Sequence, residues 1–390
     1  MFRCELHQLD GNEQLWSDWR DLLQRVKPEL RMLSPEWFSV WGRSIGSQAP
    51  WAGGLEVIAV YGEDNRKLFG IFPVGHPQVG LLRVTAMAGY YQPSRVILAD
   101  QECEYAVGRS IGWFMVELGW NLMQLGPWPM SHKAHLGALS ALNELELPIQ
   151  KQSSCHVAIA ELPATWQQYR DEVVDQTLLR RINNADAQLR REHQVEVLHH
   201  RAPSAVETQA LVATLAQVEQ RSWLPTDPHG RPRFMDATAQ QFWSELIQQT
   251  LIPLDQLDCW VMSADSQPIS FVFALTAGST RYVIANHYDE AFARHRPGSL
   301  LYRQMFEEGY SRGVTRYDFG TNELHYKKYW GAKYLDRLDT FTVATNRIVP
   351  GSGMRASSSK VCSTADCWDA QPTRLNIHRA NRCRHRRSQI

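Results

Sequence analysis

The chain has 390 residues, 44% of them hydrophobic and 21% charged, with 41 Lys and Arg set against 41 Asp and Glu. That length predicts two domains, each able to bury a core. A formal net charge of zero excludes a chain-wide electrostatic footprint for nucleic acid or anionic lipid, so any bound anion must be held by a local site.

At the N-terminus, MFRCELHQLDGNE carries no apolar signal core. The longest apolar-rich stretch, 111–125, is broken by Glu117 and Asn121 and is too short to span a bilayer. The seven cysteines are scattered and form no CxxC pair, which fits reduced thiols. The expectation is a cytoplasmic protein without a membrane span. Of the 14 tryptophans, eight precede position 130, and they read as core or domain-interface residues.

A loose internal repeat at a period of about 200 residues organises the rest. LEVIAVYGEDNRKLFGIFPVG (55–75) and LDCWVMSADSQPISFVFALTAG (257–278) are both hairpin patterns. The first is followed by an extended run to Gly89-Tyr90-Tyr91, a helix near 104–118, a strand at 122–125, a helix at 131–143 and a closing strand at 156–160. The second is followed by a strand at 281–289, a helix at 298–311, a strand at 315–319, a helix at 322–330 and a closing strand at 340–344. Two such copies predict an α/β (α+β) fold, each half a mixed central sheet flanked by helices. The expected divisions are 1–160, 161–348 and a tail at 349–390.

Between the copies, Leu178, Ile182, Ala185 and Leu189 form one helical apolar stripe. Arg180 and Arg191 share another face, flanked by Arg181 and Arg190, as a solvated face or the wall of an anion groove. Two more helices are expected at 205–222 and 235–250, both assigned to the second half. From Pro350 the chain turns Ser- and Arg-rich, with eight Lys and Arg against two Asp, and reads as a disordered basic tail. Its Cys362, Cys367, Cys383 and His385 match no standard zinc spacing, so no metal is expected.

Chemistry concentrates in YVIANHYDEAFARHRPGSLLYRQMFEEGYSRGVTRYDFGTNELHYKKYW (282–330). A strand ends at His287-Tyr288-Asp289, and a basic loop then leads to Arg296-Pro297-Gly298-Ser299 at a helix start. Backbone N–H groups at such a start suit a pyrophosphate.

This segment resembles the C-terminal half of the CelD/BcsL-type acetyltransferases of the GNAT superfamily, which are related to the FemABX aminoacyl transferases. The matching residues are Tyr288, Asp289, Pro297, Gly298, Leu300 and Leu301, then Phe319 and Gly320, then Tyr326, Lys327 and Trp330. Arg180, Arg181, Arg190 and Arg191, then Arg221-Ser222-Trp223, and Ser34-Pro35 with Trp37 and Trp41 resemble further family elements. The superfamily loop (Q/R)xxGx(G/A) is only partly kept, with His295 first and Leu300 last. An altered donor therefore stays open.

The resemblance implies two tandem GNAT-like domains and direct transfer from acetyl-CoA or another acyl-CoA to an amine or hydroxyl. Arg296, Pro297, Gly298 and Ser299 would hold the donor, with Lys327 either on phosphate or facing solvent. His287 and Asp289, placed on one strand face by alternation, are the base candidates, and Tyr326 is the candidate acid. Tyr90, Tyr91, Arg180 and Trp223 would contact a small-molecule or glycan acceptor. A role in polysaccharide, exopolysaccharide or cell-envelope metabolism follows, with the polysaccharide-synthesis machinery as partner and no nucleic acid. The alternatives are a FemABX-like aminoacyl transferase and a non-catalytic accessory protein of polysaccharide synthesis.

Overall fold

A computed structural model describes residues 2–345, apart from 49–50, 52–53, 65, 80–81, 90–92, 94, 228–231 and 322–323. The expectations for Tyr90, Tyr91 and the basic tail lie outside the described residues.

The first half runs β1 (Phe2–Gln8), α1 (Glu13–Leu23), α2 (Pro35–Arg43), β2 (Leu55–Gly62), β3 (Leu68–Gly75) and the short β4 (Gln78–Val79) and β5 (Leu82–Arg83). It continues with β6 (Thr85–Met87), β7 (Leu98–Ala99), α3 (Glu104–Glu117), β8 (Leu122–Pro129), α4 (Lys133–Glu144) and β9 (Ile149–Glu161). Then follow α5 (Trp166–Gln168), α6 (Gln176–Glu192), β10 (Val195–His200), α7 (Ala205–Gln220) and α8 (Ala237–Leu246). The last elements are β11 (Leu257–Ala264), β12 (Gln267–Ala277), β13 (Thr280–Tyr288), α9 (Pro297–Ser311), β14 (Arg316–Asp318), α10 (His325–Tyr329) and β15 (Lys333–Ala344).

Local rules explain most of these elements. Asp175 caps α6 by accepting from the Leu178 amide at 2.7 Å, and Leu178, Ile182, Ala185 and Leu189 are buried as the stripe requires. Ser204 and Glu207 form a reciprocal capping box on α7. Asp265 and Ser266 take positive φ in the tight β11–β12 turn, the conformation of a two-residue hairpin loop.

Thirteen strands form one mixed sheet in the order β1-β2-β3-β6-β8-β15-β9-β14-β13-β12-β11-β10, with β7 on β3. In each half one pair is parallel, β6 with β8 and β13 with β14.

One expectation is corrected here. The closing strands do not each complete their own half. β9 pairs with β14 at its C-terminal end and with β15 along most of its length, while β15 also pairs with β8. At 13 and 12 residues both exceed the usual length of about 5–6, and each is long enough to serve both halves.

The helices at 205–251 are likewise shared. Trp19, Trp37, Phe38 and Trp41 from the first half share a core with Phe234, Phe242, Trp243 and Leu215. Several of the early tryptophans, including Trp128 in a separate core, are therefore buried as expected. On the opposite face of the second half, α6 and α9 bury Ile182, Leu301, Met305 and Phe306 against Tyr317 and Trp330.

Candidate active site

β13 and β14 run side by side only over Thr280–Tyr282 and Arg316–Asp318. Beyond that point β14 follows β9, with the Phe319 amide donating to the Ala158 carbonyl and the Ala158 amide to the Gly320 carbonyl. β13 continues to Tyr288 on its own course along β12. The two parallel strands therefore part, and a V opens between 283–288 and 319–321.

A register shift against β12 at Phe273/Ala274 changes which side chains face the V's helical wall. Before the shift, Arg281 and Val283 point toward α9. After it, Asn286 does, and its Nδ2 donates to the Gly298 carbonyl at 3.3 Å. Arg281 is fully buried and paired with Asp258 at 3.0 Å and Glu308 at 2.8 Å. This network anchors the base of β13, and no sequence motif announced it.

At the end of β13, Asp289 accepts from the Ala291 amide at 3.0 Å, pairs with Arg221 at 2.9 Å and accepts from Gln267 at 3.2 Å. A 3-10 turn, Glu290–His295, follows, and Arg294 and His295 are tied to Glu192 at the end of α6. Arg296 then adopts φ 53° and ψ 42° and caps α9, with Pro297 at its first position. The Ser299 and Leu300 amides both return to the Arg296 carbonyl, at 3.0 and 3.1 Å. The cradle is thus narrower than a run of open amides. Gly298 is buried, and a Cβ there would stand 2.7 Å from Asn286 Oδ1, so close packing alone requires glycine. Arg296 stays exposed beside Tyr288.

At the mouth of the V, Tyr326 stacks on Tyr302 with centroids 5.9 Å apart and hydroxyls 3.4 Å apart, and Asn286 also bonds the Tyr302 hydroxyl. Tyr326 keeps 37% of its surface open. Burial raises the pKa of both phenols, so both are protonated near neutrality. Lys327 does not face solvent. It is buried, and its Nζ donates to the Thr321 carbonyl at 2.5 Å. Burial lowers its pKa to about 8.

His287 lies on the other face of β13, against Phe271 and Trp223, with Nε2 3.7 Å from Glu219. Burial, reinforced by Arg233, pushes its pKa down to about 4. Burial also raises that of Glu219, which accepts the amides of Arg233, Phe234 and Met235. The expected trio is thus divided. His287 and Asp289 do not form a pair, because Asp289 lies past the strand end, turned onto Arg221. Tyr326 stands on the opposite side of the sheet.

Trp223 is 38% exposed beside His287, and Arg180 is exposed on α6. Two groups with metal-ligand side chains occur among the described residues, Glu192–His193–His295 and His199–Asp258–Glu308. Arginines occupy both: Arg294 donates to Glu192 and His295 in the first, and Arg281 and Arg312 pair with Asp258 in the second.

A cleft of about 300 Å³ lies between the halves on the face opposite α9. Thr280, Tyr282, Arg316, Asp318, Gly320 and Thr321 form its second-half wall, so it meets the V at the end of β14. Among the described residues, no helix is long and apolar enough to cross a membrane.

Residues 177–328 match the family model of the acetyltransferase (GNAT) domain. No curated protein matches the chain. Among solved structures, FemX is similar at 10% identity, covering 84% of this chain and 95% of FemX with a TM-score of 0.57. The C-terminal domain of a protein from Agrobacterium fabrum assigned as a lysylphosphatidylglycerol synthetase is similar at 9% identity, covering 86% and 93% with a TM-score of 0.51. A tandem GNAT protein from the clavulanic acid pathway aligns at 10% identity over 89% and 99% with a TM-score of 0.47. At these identities the likeness to the first two is one of fold. The V, its helix start and its tyrosine pair all fall within the matched segment, and the chain carries an acetyltransferase domain of GNAT type over residues 177–328.

Proposed function

We propose that the chain transfers an acyl group from acyl-CoA to an amine or hydroxyl, with the donor thioester in the V between β13 and β14. The observation that carries this reading is the parting of the two parallel strands after Tyr282 and Asp318, beside the start of α9. An extended pantetheine can take the place of the missing strand partner along 284–288, since an unpaired strand edge offers its N–H and C=O groups. Arg296, exposed at the start of α9, then meets the pyrophosphate, with Pro297, Gly298 and Ser299 shaping the turn.

The nucleophile attacks the thioester carbonyl carbon, the C–S bond breaks, and the thiolate takes a proton. Tyr326 supplies that proton, because its phenol is protonated at neutral pH and opens at the mouth of the V. The nucleophile's proton passes to solvent in the cleft, since His287 is enclosed by Phe271 and Trp223 on the side of the sheet away from Tyr326 and serves to hold that face of β13. Asp289 positions the strand end through Arg221. Lys327 holds the 320–321 carbonyls and so keeps the V's second wall in place. Trp223 and Arg180 flank the two sides. The acceptor approaches from the cleft between units 1–160 and 161–348, in which β9 and β15 are exchanged.

A CelD/BcsL-type role in polysaccharide or envelope metabolism, carried out in the cytoplasm, is the biological setting that the sequence resemblance supports. The narrowed cradle at Ser299 and Leu300 favours one second reading, a FemABX-like donor other than CoA.

Calorimetric titration with acetyl-CoA tests the donor. Binding by the wild type, weakened roughly tenfold in Arg296→Glu, is expected, a change of about 1.4 kcal/mol. Gly298→Asp is a poorer probe, because its Cβ meets Asn286 whether or not a phosphate is near. No binding of acetyl-CoA would overturn the reading.

A further inference from the structure

One cluster outside the V has the donor set of a metal site. α6 ends at Glu192, His193 follows it, and the turn after β13 brings His295 beside them. One oxygen of Glu192, one nitrogen of His193 and one nitrogen of His295 lie within 4.8 Å of one another. His295 is 1% exposed, and Arg294 Nε donates to its Nε2 at 3.0 Å, so Nε2 carries a lone pair. Its Nδ1 is buried and has no hydrogen-bond partner among the described residues. That Nε2 stands 3.3 Å from Glu192 Oε2. Two electron-pair donors held at such a distance repel each other unless a cation serves both.

The cation that serves both is the Arg294 guanidinium, whose Nη2 also donates to Glu192 Oε2 at 2.6 Å. Its side chain is 65% exposed, and ion pairs that open to water are worth little, so it can give way. The second group, His199–Asp258–Glu308, differs on this point, because Arg281, one of the arginines paired there, is wholly buried. In the first group the ligands are already oriented by outer partners. His193 Nδ1 donates to Asp265 Oδ2 at 2.7 Å, which leaves Nε2 for a metal. Gln188 donates to Glu192 Oε1 at 2.8 Å, which leaves Oε2. Partners of this kind fix the rings and carboxylates that bind metals. Burial and then Arg294 lower the pKa of His295, so the ring is neutral near pH 7, as a ligand must be.

We propose that Glu192, His193 and His295 bind a zinc ion by displacing Arg294, with water in the fourth position. Two imidazole nitrogens and one carboxylate oxygen suit zinc, and bonds of about 2.0–2.2 Å set tetrahedral ligands about 3.3 Å apart. Magnesium and calcium favour sets of oxygen ligands and do not compete. The ion joins the end of α6 to the turn just before Arg296, and so holds the residue that caps α9. The site stands whether or not acyl-CoA is the donor, since none of its ligands takes part in the transfer steps.

The test is titration of zinc into the full chain against a fluorescent zinc indicator, on the wild type, His295→Gln, Glu192→Gln and Arg294→Ala. The wild type is expected to bind the ion, and His295→Gln and Glu192→Gln to bind it at least about tenfold more weakly. Arg294→Ala removes the competing cation and is expected to bind zinc more tightly than the wild type, which a merely structural ion pair would not produce. If His295→Gln does not fold, the other two variants decide, since both of those side chains reach the surface. Cobalt(II) in place of zinc should give tetrahedral visible bands without the near-ultraviolet thiolate band that Cys362, Cys367 and Cys383 would add. No zinc binding by the wild type, undiminished binding by Glu192→Gln, binding by Arg294→Ala no tighter than wild type, or a thiolate band with cobalt would overturn the proposal. Failure of acetyl-CoA to bind while zinc still does would remove the donor reading and leave this one standing.

Discussion

The two halves build the same parallel pair and finish it differently. In the first half, β6 and β8 pair only at Thr85–Ala86 and Met123–Gln124, yet the strands stay bridged by side chains, as Trp128 Nε1 donates to Met87 Sδ at 3.4 Å. Trp128 stacks on His135 at 4.4 Å, and His135 Nε2 accepts from the Ile97 amide, so that region is dry and closed. In the second half, β14 leaves β13, and the space beyond is edged by Asn286, Tyr302 and Tyr326, whose polar atoms meet one another. One copy of the unit has been filled with apolar volume and the other left lined with hydrogen-bonding groups. The proposed acyl transfer would then use the second half for chemistry and the first for support.

The largest effects should separate those two roles. Trp128→Ala removes a fully buried indole and is expected to lower stability by about 3–5 kcal/mol, with the kcat of the surviving folded protein little changed. Denaturant titration and single-turnover rates check this pair of outcomes. Arg281→Leu removes one of the two arginines paired with Asp258, which is fully buried with Thr276, His199 and Arg312 about it. A loss of about 3–5 kcal/mol is expected, measured in the same way. Tyr326→Phe, by contrast, should unfold at the wild-type denaturant midpoint while transfer slows by roughly 10²-fold. An unchanged rate would move the acid elsewhere.

Much of this architecture was legible in the sequence, and the reasons are local. The stripe in α6, the two hairpins and the Pro-Gly start of α9 depend on residues a few positions apart. The exchange of β9 and β15 depends on pairings more than 150 residues apart, and no periodicity reports those. At the site, period-two alternation put His287 and Asp289 on one face, but the strand ends at Tyr288 and Asp289 turns onto Arg221. Lys327 looked like a solvent or phosphate lysine, because a five-residue helix has too few positions to show which face is buried.

A smaller effect follows from two of the buried histidines, one in each half. His132 and His287 both titrate near pH 4 in the folded chain, against about 6.5 when unfolded. Between those values the unfolded chain binds protons that the folded chain refuses. Stability is therefore complete above about pH 6.5 and falls as pH drops toward 4, by roughly 1.4 kcal/mol per pH unit for each histidine. Denaturation midpoints from pH 7.5 to 4.5 should show this slope, and His287→Phe should lessen it by one proton's worth. An unaltered slope would mean that His287 is hydrated in solution.

Hydrogen–deuterium exchange with and without acetyl-CoA tests the assignment of the donor to the second half's V most directly, because the two halves offer equivalent strand pairs within one molecule. Acetyl-CoA should slow exchange along 284–300 and 319–330, where the V and the start of α9 lie, and leave 85–104 and 122–129 unchanged. Protection confined to the first half's strands, or no protection in either, would contradict it.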